Sequence, residues 1–365
     1  MYQFEMAMIS ASALQGVKLR ATDEEARRDR SAPNVSLIAS EDANREKEET
    51  RRDYFFSTGL DRWYASLEDK TFRSEMVELS PSEARAIVSC WEKGFKHKDS
   101  NAPLPDESQI EIPAVLKGLA DRLSSSISSL SPEKGAFIKL STRSPKDSHI
   151  AFANARREYE SLLSSKGENV PVNDKLIHLA EVVIESLRVR TGEYAIKLLL
   201  SSDRVGEDLE YALEKGDDDF TKCICLILRE WVDIPQWAEF RGFVWSGQLT
   251  AIGQYNHLVM FPQLKQQEAR VRTDLESFYA SIKDQIPLDR YIIDFAWTEE
   301  KVYLIEVNPF DGELVFPAST GLWSWETDRN QMKNGPLELR IREKQEETHI
   351  LKHSIDPRWR AIVLS

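Results

Sequence analysis

Three oxygen-rich side chains interrupt an otherwise apolar stretch, YIIDFAWTEEKVYLIEVNPF, at residues 291–310. They are Asp294, Glu306 and Asn308. Carboxylate and amide oxygens are the ligands that hard divalent cations prefer, and Mg²⁺ commonly combines one or two carboxylates with the phosphates of a substrate. The three residues therefore predict a magnesium–nucleotide site. The alternative is a sheet with one solvent-facing surface, on which acidic and apolar residues simply alternate.

The spacing of these residues determines whether they can meet. If residues 299–301 form a three-residue hairpin loop, Thr298 faces Val302 and Asp294 lies opposite Glu306. Side chains alternate between the two faces of a strand. We therefore expect an apolar face that packs on helices, formed by Tyr291, Ile293, Phe295, Trp297, Tyr303, Ile305 and Val307. The other face is expected to carry Asp294, Ala296, Leu304, Glu306 and Asn308.

Cationic side chains occur in three other strand-like stretches. Lys139 lies in AFIKL, Arg229 ends LILR, and Arg241 lies in EFRGFVW. Two carboxylates that face each other repel unless a positive charge lies between them. Arginine forks match phosphate oxygens and lysine supplies a point charge. No glycine-rich phosphate loop is present, so a nucleotide would be held by side chains and strand edges.

A second hairpin is predicted over residues 239–254. A two-residue turn at 246–247 suits this sequence because glycine accepts a positive φ. With that turn, Glu239 lies opposite Gln254 and Arg241 lies opposite Ile252. Glu239 and Arg241 then share a face at the polar end of an apolar ribbon, which indicates the wall of a site. The alternative is a structural Glu239–Arg241 salt bridge.

The elements that must position these groups are mixed, with hairpins as well as alternating helices and strands, so an α+β fold is predicted. Helices are expected at 79–91, with Ser80 or Ser82 as the N-cap, and at 115–130, 174–190 and 268–286. Strands are expected at 134–141, 193–200 and 223–231, and an acidic loop at 214–222.

Composition limits the classes of protein to consider. A chain of 365 residues suggests two domains, or one large domain with an extension. The net charge of −13 argues against passive binding to nucleic acid or to an anionic membrane. Three cysteines give no disulfide framework, which fits a cytoplasmic location. No apolar run approaches the roughly 20 residues of a membrane span.

Six segments, in this order, resemble the cell-division-cycle protein 123 (D123) family. They are RWYASLEDKTFRSEMVELSPSEA, GAFIKLSTRSPKDS, LLLSSDRVGEDLEYAL, LILREWVDIPQWAEFRGFVWSGQLTAIGQ, YLIEVNPF and PLELRI. Together they cover roughly residues 55 to 345. The resemblance implies an ATP-grasp-like fold, in which two α+β lobes hold ATP between antiparallel sheets.

The resemblance also implies a division of the chain. Residues 54–230 would form the N-terminal lobe and residues 231–346 the C-terminal lobe with the Mg·ATP site. Residues 1–53, dense in charge, would be a mobile extension, and residues 347–365 a C-terminal tail.

The family's functional residues can be carried over by position. Its magnesium ligands match Asp294, Glu306 and Asn308, with Glu306 where the family usually has aspartate. The family's strand lysine matches Lys139, and its arginine before the interlobe connector matches Arg229. The implied cofactor-binding set is Lys139, Ser144, Lys146, Asp147, Arg229, Glu230, Trp231, Glu239 and Arg241.

Particular roles follow for parts of this set. The backbone of residues 229–232 would meet the adenine edge, and the loop 144–147 would close over the nucleotide with Lys146 reaching phosphate. The family's SQRD-like run is GQYNH here, with Tyr255 and Asn256 in place of a basic and an acidic residue. This departure is expected to remove polar groups near the end of the hairpin.

Two functions remain open. By resemblance, the chain is an assembly factor for eukaryotic translation initiation factor 2 that binds its γ subunit and promotes joining to the α subunit, supported by ATP. The acidic charge would suit a basic patch on that partner. The alternative is an ATP-grasp ligase that activates an acid for attack by an amine or hydroxyl, with Arg241 and Arg340 as catalytic clamps. Turnover of ATP is left open.

Overall fold

Two β-sheets organise the chain in this computed structural model. It describes residues 51–96, 105–167, 169–298, 300–310 and 318–364. A four-stranded sheet has the order β1-β4-β2-β3, and a five-stranded sheet has the order β8-β7-β5-β6-β9. Neighbouring strands are antiparallel except for the parallel pair β6 and β9. The predicted α+β class is confirmed.

The first sheet comes from the N-terminal part of the chain and the second from the C-terminal part. The strands of the first are β1 Ser74–Val77, β2 Ala136–Leu140, β3 Arg188–Val189 and β4 Leu226–Glu230. Those of the second are β5 Glu239–Trp245, β6 Gln248–Gln254, β7 Tyr291–Trp297, β8 Val302–Asn308 and β9 Glu338–Arg340.

Helices cover both sheets. In chain order they are α1 Leu60–Trp63, α2 Pro81–Gly94, α3 Lys117–Leu130, α4 His149–Lys166, α5 Val172–Glu185, α6 Gly192–Leu200, α7 Asp203–Leu213, α8 Asp217–Cys223, α9 Pro262–Ile282, α10 Arg329–Asn334, α11 Thr348–Ser354 and α12 Pro357–Val363. Residues 51–57 are also helical, whereas most of the predicted extension, residues 1–50, lies outside the described part. None of the helices described is long and apolar enough to cross a membrane.

Each sheet has its own apolar core. Helices α2, α3, α6 and α7 pack around the four-stranded sheet. Helix α9 packs against the apolar face of the β7–β8 hairpin, where its Val271, Leu275 and Ile282 are fully buried. The helical spacing in the sequence predicts a stripe of Val271, Leu275, Phe278 and Ile282, and the prediction is confirmed, with Phe278 only partly buried.

The start of α2 has a capping box at Ser80, one of the two N-cap residues that the sequence predicts. The Ser80 hydroxyl accepts from the Glu83 backbone N–H, and the Glu83 carboxylate accepts from the Ser80 N–H at 2.9 Å. We expect Ser80→Ala to lower the free energy of unfolding by about 1 kcal/mol, because a backbone donor loses its acceptor. Urea unfolding measures this loss. Ser82→Ala, at an exposed neighbouring position, is the control, and equal losses in both variants would contradict this assignment of the cap.

Several sequence predictions differ from the structure in this region. The helix expected at 174–190 ends at Glu185, and Arg188–Val189 form β3, since they pair with β2. Residues 193–200, expected as a strand, form α6, which is capped by the Thr191 side chain. Its short apolar run is buried almost all round, so periodicity could not separate strand from helix. Residues 214–222, expected as a loop, contain most of α8, whose first turn holds three aspartates that favour a helix N-terminus. The strand expected at 223–231 begins only at Leu226.

The C-terminal residues pack into the core of the five-stranded sheet. Leu351, Ile355, Trp359 and Val363 are fully buried there. The Trp359 ring lies edge-on to the ring of Phe152 on α4, with centroids 4.8 Å apart. Helices α11 and α12 therefore belong to the packed structure.

Candidate functional site

The β7–β8 hairpin brings the predicted acidic pair together. Asp294 lies directly opposite Glu306, as the sequence predicts. The pairing arises differently, however, because Trp297 rather than Thr298 faces Val302. A β-bulge after Asp294 restores the register. The longer loop shifts the register by one residue and the bulge shifts it back, so Asp294 still faces Glu306.

The same bulge changes which side chains share a face. Leu304 pairs with Phe295 and is fully buried in the core, whereas Ile305 lines a cavity on the other side. The predicted positions of Leu304 and Ile305 are therefore exchanged. The physical reason is that one added residue shifts the alternation of β8 by one.

The β5–β6 hairpin also contains a bulge. Its two-residue turn is confirmed, since Ser246 and Gly247 have φ of 49° and 68°. Beyond the turn, a bulge after Phe243 shifts the register, so that Arg241 faces Gly253. The sequence predicts Ile252 opposite Arg241 and Gln254 opposite Glu239. Both predictions are wrong by one residue of β6.

Arg241 and Asp294 form a buried bidentate ion pair across β5 and β7. The Nε and Nη2 atoms of Arg241 donate to the two carboxylate oxygens of Asp294 at 2.8 and 2.9 Å. The third nitrogen, Nη1, donates to the Ser319 carbonyl at 2.7 Å. The side chains are 1% and 0% exposed, so this pair lies behind the surface of the cavity.

Glu306 joins the two sheets. Its carboxylate accepts from the ammonium of Lys139 on β2 at 3.1 Å, and Lys139 is 2% exposed. The Asn308 amide nitrogen lies 3.3 Å from a Glu306 oxygen and 3.5 Å from an Asp294 oxygen. Five of the predicted metal and cofactor residues thus form one connected cluster: Asp294, Glu306, Asn308, Lys139 and Arg241.

Burial and neighbouring charges act oppositely on the two carboxyl groups. Burial raises the pKa of Asp294 even though Arg241 is bonded to it. Burial also opposes ionisation of Glu306, but the charges of Lys139 and Lys146 outweigh it and lower the pKa of Glu306. Burial lowers the pKa of Lys139 as well. An additional cation would relieve the repulsion between the carboxylates.

The donor set fits a magnesium ion. In the part of the chain that the structure describes, no three His, Cys, Asp or Glu side chains are grouped as metal ligands. The Asn308 amide supplies the third group, since it already lies between Asp294 and Glu306. Turning that amide over would direct its oxygen to the same place, and the two orientations are interchangeable assignments.

A cavity of about 390 Å³ lies between the two sheets, in front of this cluster. That volume is within the range of small-molecule sites. Its inner end contains charged groups: Lys139, Lys146, Arg229, Glu239 and Glu306. Its apolar walls comprise Phe72, Phe137, Ile184, Val232, Ile234 and Ile305. Burial raises the pKa of Glu239 to about 7, against the attraction of Lys146.

The connector between the sheets forms one rim of the cavity. Residues 231–238 join β4 to β5, and residues 230–236 all line the cavity. The backbone N–H groups of Glu230 and Trp231 donate to the carbonyls of Arg73 and Gly135. Because these two N–H groups are already bonded, a nucleotide base would form polar contacts with backbone carbonyls of this segment or with the backbone from Val232 onward.

The loop after β2 contributes one side chain to the cavity. Lys146 lines it and donates to the Tyr255 hydroxyl at 3.4 Å. Ser144 is buried. Asp147 accepts from the Ser202 hydroxyl at 2.5 Å and from the Arg204 backbone N–H at 3.0 Å, which fastens the loop to the start of α7.

Two of the predicted site arginines are bonded to other protein groups. Arg229 donates to the carbonyl of Ile305 and to the Thr71 hydroxyl, at 2.6 Å each. Arg340 stacks on the Trp323 ring at 3.5 Å and pairs with Asp328 and Glu338. Arg229 lines the cavity, whereas Arg340 is not among the described residues that do. The structure thus leaves Arg340 outside the cluster.

Sequence reasoning missed Phe72 and undervalued Tyr255. Phe72 lies under the Arg229 guanidinium at 5.0 Å and forms part of the apolar wall. Tyr255 is 2% exposed and its ring lies 5.0 Å from the Arg241 guanidinium. Asn256 donates to the Gln236 carbonyl at 2.8 Å and so ties β6 to the connector. The GQYNH run therefore keeps polar contacts at the site.

The fold and the site define an α+β protein with a charged cleft between two largely antiparallel sheets. The sequence profile of the D123 family matches residues 182–357. An eIF2 assembly protein of Xenopus tropicalis is 23% identical over 79% of this chain and 82% of its own length. A cell division cycle protein 123 of Yarrowia lipolytica is 31% identical over 44% of this chain and 43% of its own length.

Solved structures show the same fold. Cdc123 from Schizosaccharomyces pombe superposes with a TM-score of 0.55 at 20% identity, covering 80% of this chain and 98% of that one. The predicted resemblance to the cell-division-cycle protein 123 (D123) family is confirmed.

Proposed function

We propose that this chain is a Mg·ATP-binding assembly factor for translation initiation factor eIF2, with an ATP-grasp-like fold. The observation that carries the nucleotide part is the cavity between the sheets. Its inner end combines the ion-paired Glu306 and Lys139, with Asp294 and Asn308 directly behind. A metal-bound triphosphate needs carboxylates and cations in this arrangement.

The cavity suggests how ATP would lie. The base would occupy the apolar part, between Phe72 and Phe137 and the connector 230–236. The phosphates would extend toward Lys139 and Lys146 at the charged end. Asp294, Glu306 and Asn308 would hold the magnesium ion, which when bound neutralises phosphate charge.

The partner part is supported by the relatives' names and by charge. The X. tropicalis relative, matched over 82% of its length, is an eIF2 assembly protein. We propose the γ subunit as the surface bound, with joining to the α subunit as the result. The net charge of −13 would favour association with a basic patch on the γ subunit.

The nucleotide proposal predicts a Mg²⁺-dependent gain in stability. At 100 times its dissociation constant, Mg·ATP should add about 2.7 kcal/mol to the free energy of unfolding. Thermal melts with ATP, with and without EDTA, measure the gain. Chromatography of the same mixtures reports ADP, AMP or a new covalent product. Unchanged ATP fits an assembly factor, whereas rapid turnover with an acid and an amine would replace this proposal with the ligase.

The partner proposal is tested with purified eIF2 subunits. We expect this chain to capture the γ subunit alone and to increase the yield of α–γ complex when both are present. Separately purified α subunit, mixed without γ, is the control. Capture of neither subunit, or of α only, would overturn the partner assignment without affecting the nucleotide site.

A further inference from the structure

Arg204 is a buried cation whose side chain has no hydrogen-bond partner in the part of the chain that the structure describes. It is the second residue of α7 and is 1% exposed. Nε, Nη1 and Nη2 all lack a partner among the described residues. The buried Arg241, by contrast, forms a bidentate pair with Asp294. A buried guanidinium without partners costs several kcal/mol of desolvation, so its retention calls for an anion.

The acidic residues closest along α7 are already used. Asp208, one helical turn from Arg204, accepts from Arg143 at 2.6 and 2.9 Å and from the Thr142 hydroxyl at 2.6 Å. Glu207 accepts from Arg143 at 3.0 Å. These bonds leave Arg204 without a bonded counter-ion in its own helix, although the charges of both acids act on it.

One other group that acts on Arg204 lines the cavity. Burial lowers the pKa of the Arg204 guanidinium, whereas Tyr255 and the cavity-lining Glu306 raise it. Glu306 is bonded to Lys139, and Tyr255 accepts from Lys146. The backbone N–H of Arg204 is bonded to Asp147, which is next in the chain to the cavity-lining Lys146. Arg204 therefore lies behind the loop at the charged end of the cavity and is not among the described residues that line it.

The loop that carries Lys146 offers a way to reach Arg204. Asp147 fastens this loop to the backbone N–H of Arg204. The bond from Lys146 to Tyr255 is long, at 3.4 Å, and therefore weak. The loop thus joins the cavity-lining Lys146, through its neighbour Asp147, to Arg204.

We infer that Arg204 binds the terminal phosphate of the nucleotide, as a fork contributed by α7 at the charged end of the site. This inference rests on the proposed Mg·ATP site. A guanidinium recognises phosphate oxygens in a bidentate manner, which lysine cannot do. Arg204 would thus distinguish a nucleoside triphosphate from a diphosphate.

Calorimetric titration of Arg204→Met with Mg·ATP and Mg·ADP tests the inference. Loss of a charged hydrogen-bonding group should weaken ATP binding by roughly 10- to 100-fold while leaving ADP binding within about twofold. Arg204→Lys should recover part of the ATP affinity. Arg190→Met, which removes an exposed arginine elsewhere, should change neither constant.

A second readout separates ligand binding from a structural role. Because Arg204 has no bonded partner, Arg204→Met should melt without ligand at the wild-type temperature or above it. Equal loss of ATP and ADP affinity, no loss of either, or a lowered melting temperature with unchanged ATP affinity would overturn the inference. A wild-type chain that binds neither nucleotide would instead refute the proposed function, and the inference with it.

Discussion

Glu306→Gln should abolish the stabilisation that Mg·ATP gives to the wild-type chain. Glutamine keeps the shape of the side chain and an oxygen that can accept from Lys139, but it removes the negative charge. Magnesium bound at this position would lose one of two carboxylates, and Mg²⁺ depends on few protein carboxylates to begin with. A gain of about 2.7 kcal/mol at saturating nucleotide should fall to near zero.

Comparing each protein with and without Mg·ATP removes the effect of the substitution on the unliganded fold. Glu338→Gln is the matched control, because Glu338 is on β9 of the same sheet and pairs with Arg340 outside the cavity. It should retain the full gain. A Glu306→Gln protein that binds Mg·ATP as tightly as wild type would show that the metal site is misplaced.

Trp359→Ala should be the most destabilising single change in the C-terminal segment. Trp359 is 0% exposed, and its ring contacts those of Phe152 and Tyr159 at centroid distances of 4.8 and 5.7 Å. Removing a buried aromatic side chain loses its transfer free energy and leaves a cavity. We expect a loss of about 3–5 kcal/mol in the free energy of unfolding, measured by urea denaturation.

Ile350→Ala, on the neighbouring α11, is the control for this prediction. Ile350 is 39% exposed, so its truncation should change stability by less than about 0.5 kcal/mol. If Trp359→Ala cost as little as Ile350→Ala, helices α11 and α12 would not pack on the core in solution. An unchanged slope of the unfolding free energy against urea concentration would show that the substitution changed stability and not the surface exposed on unfolding.

Local patterns in the sequence were sufficient for several elements. The stripe of Val271, Leu275 and Ile282 predicted α9, and Ser80 predicted the start of α2, because helical period and capping depend on residues close in the chain. The short, largely apolar segment 193–200 carried no such signal. Their burial by helices from other parts of the chain decided that they form α6.

The site was predictable in its residue types and only partly in its geometry. Asp294 was expected opposite Glu306 and lies there, yet a longer loop and a β-bulge produced that pairing. Bulges depend on how strands twist and pack, which no short sequence window records. The exchanged faces of Leu304 and Ile305 have the same cause.

The sequence by itself determined that two strands near the C-terminus carry two carboxylates and an amide that meet in one cluster. Only the tertiary structure decided which cations meet them. Lys139 is 167 positions from Glu306, and the contact requires the two sheets to face each other. The missing partner of Arg204 is likewise visible only in three dimensions, because hydrogen bonding depends on positions in space rather than on residue type.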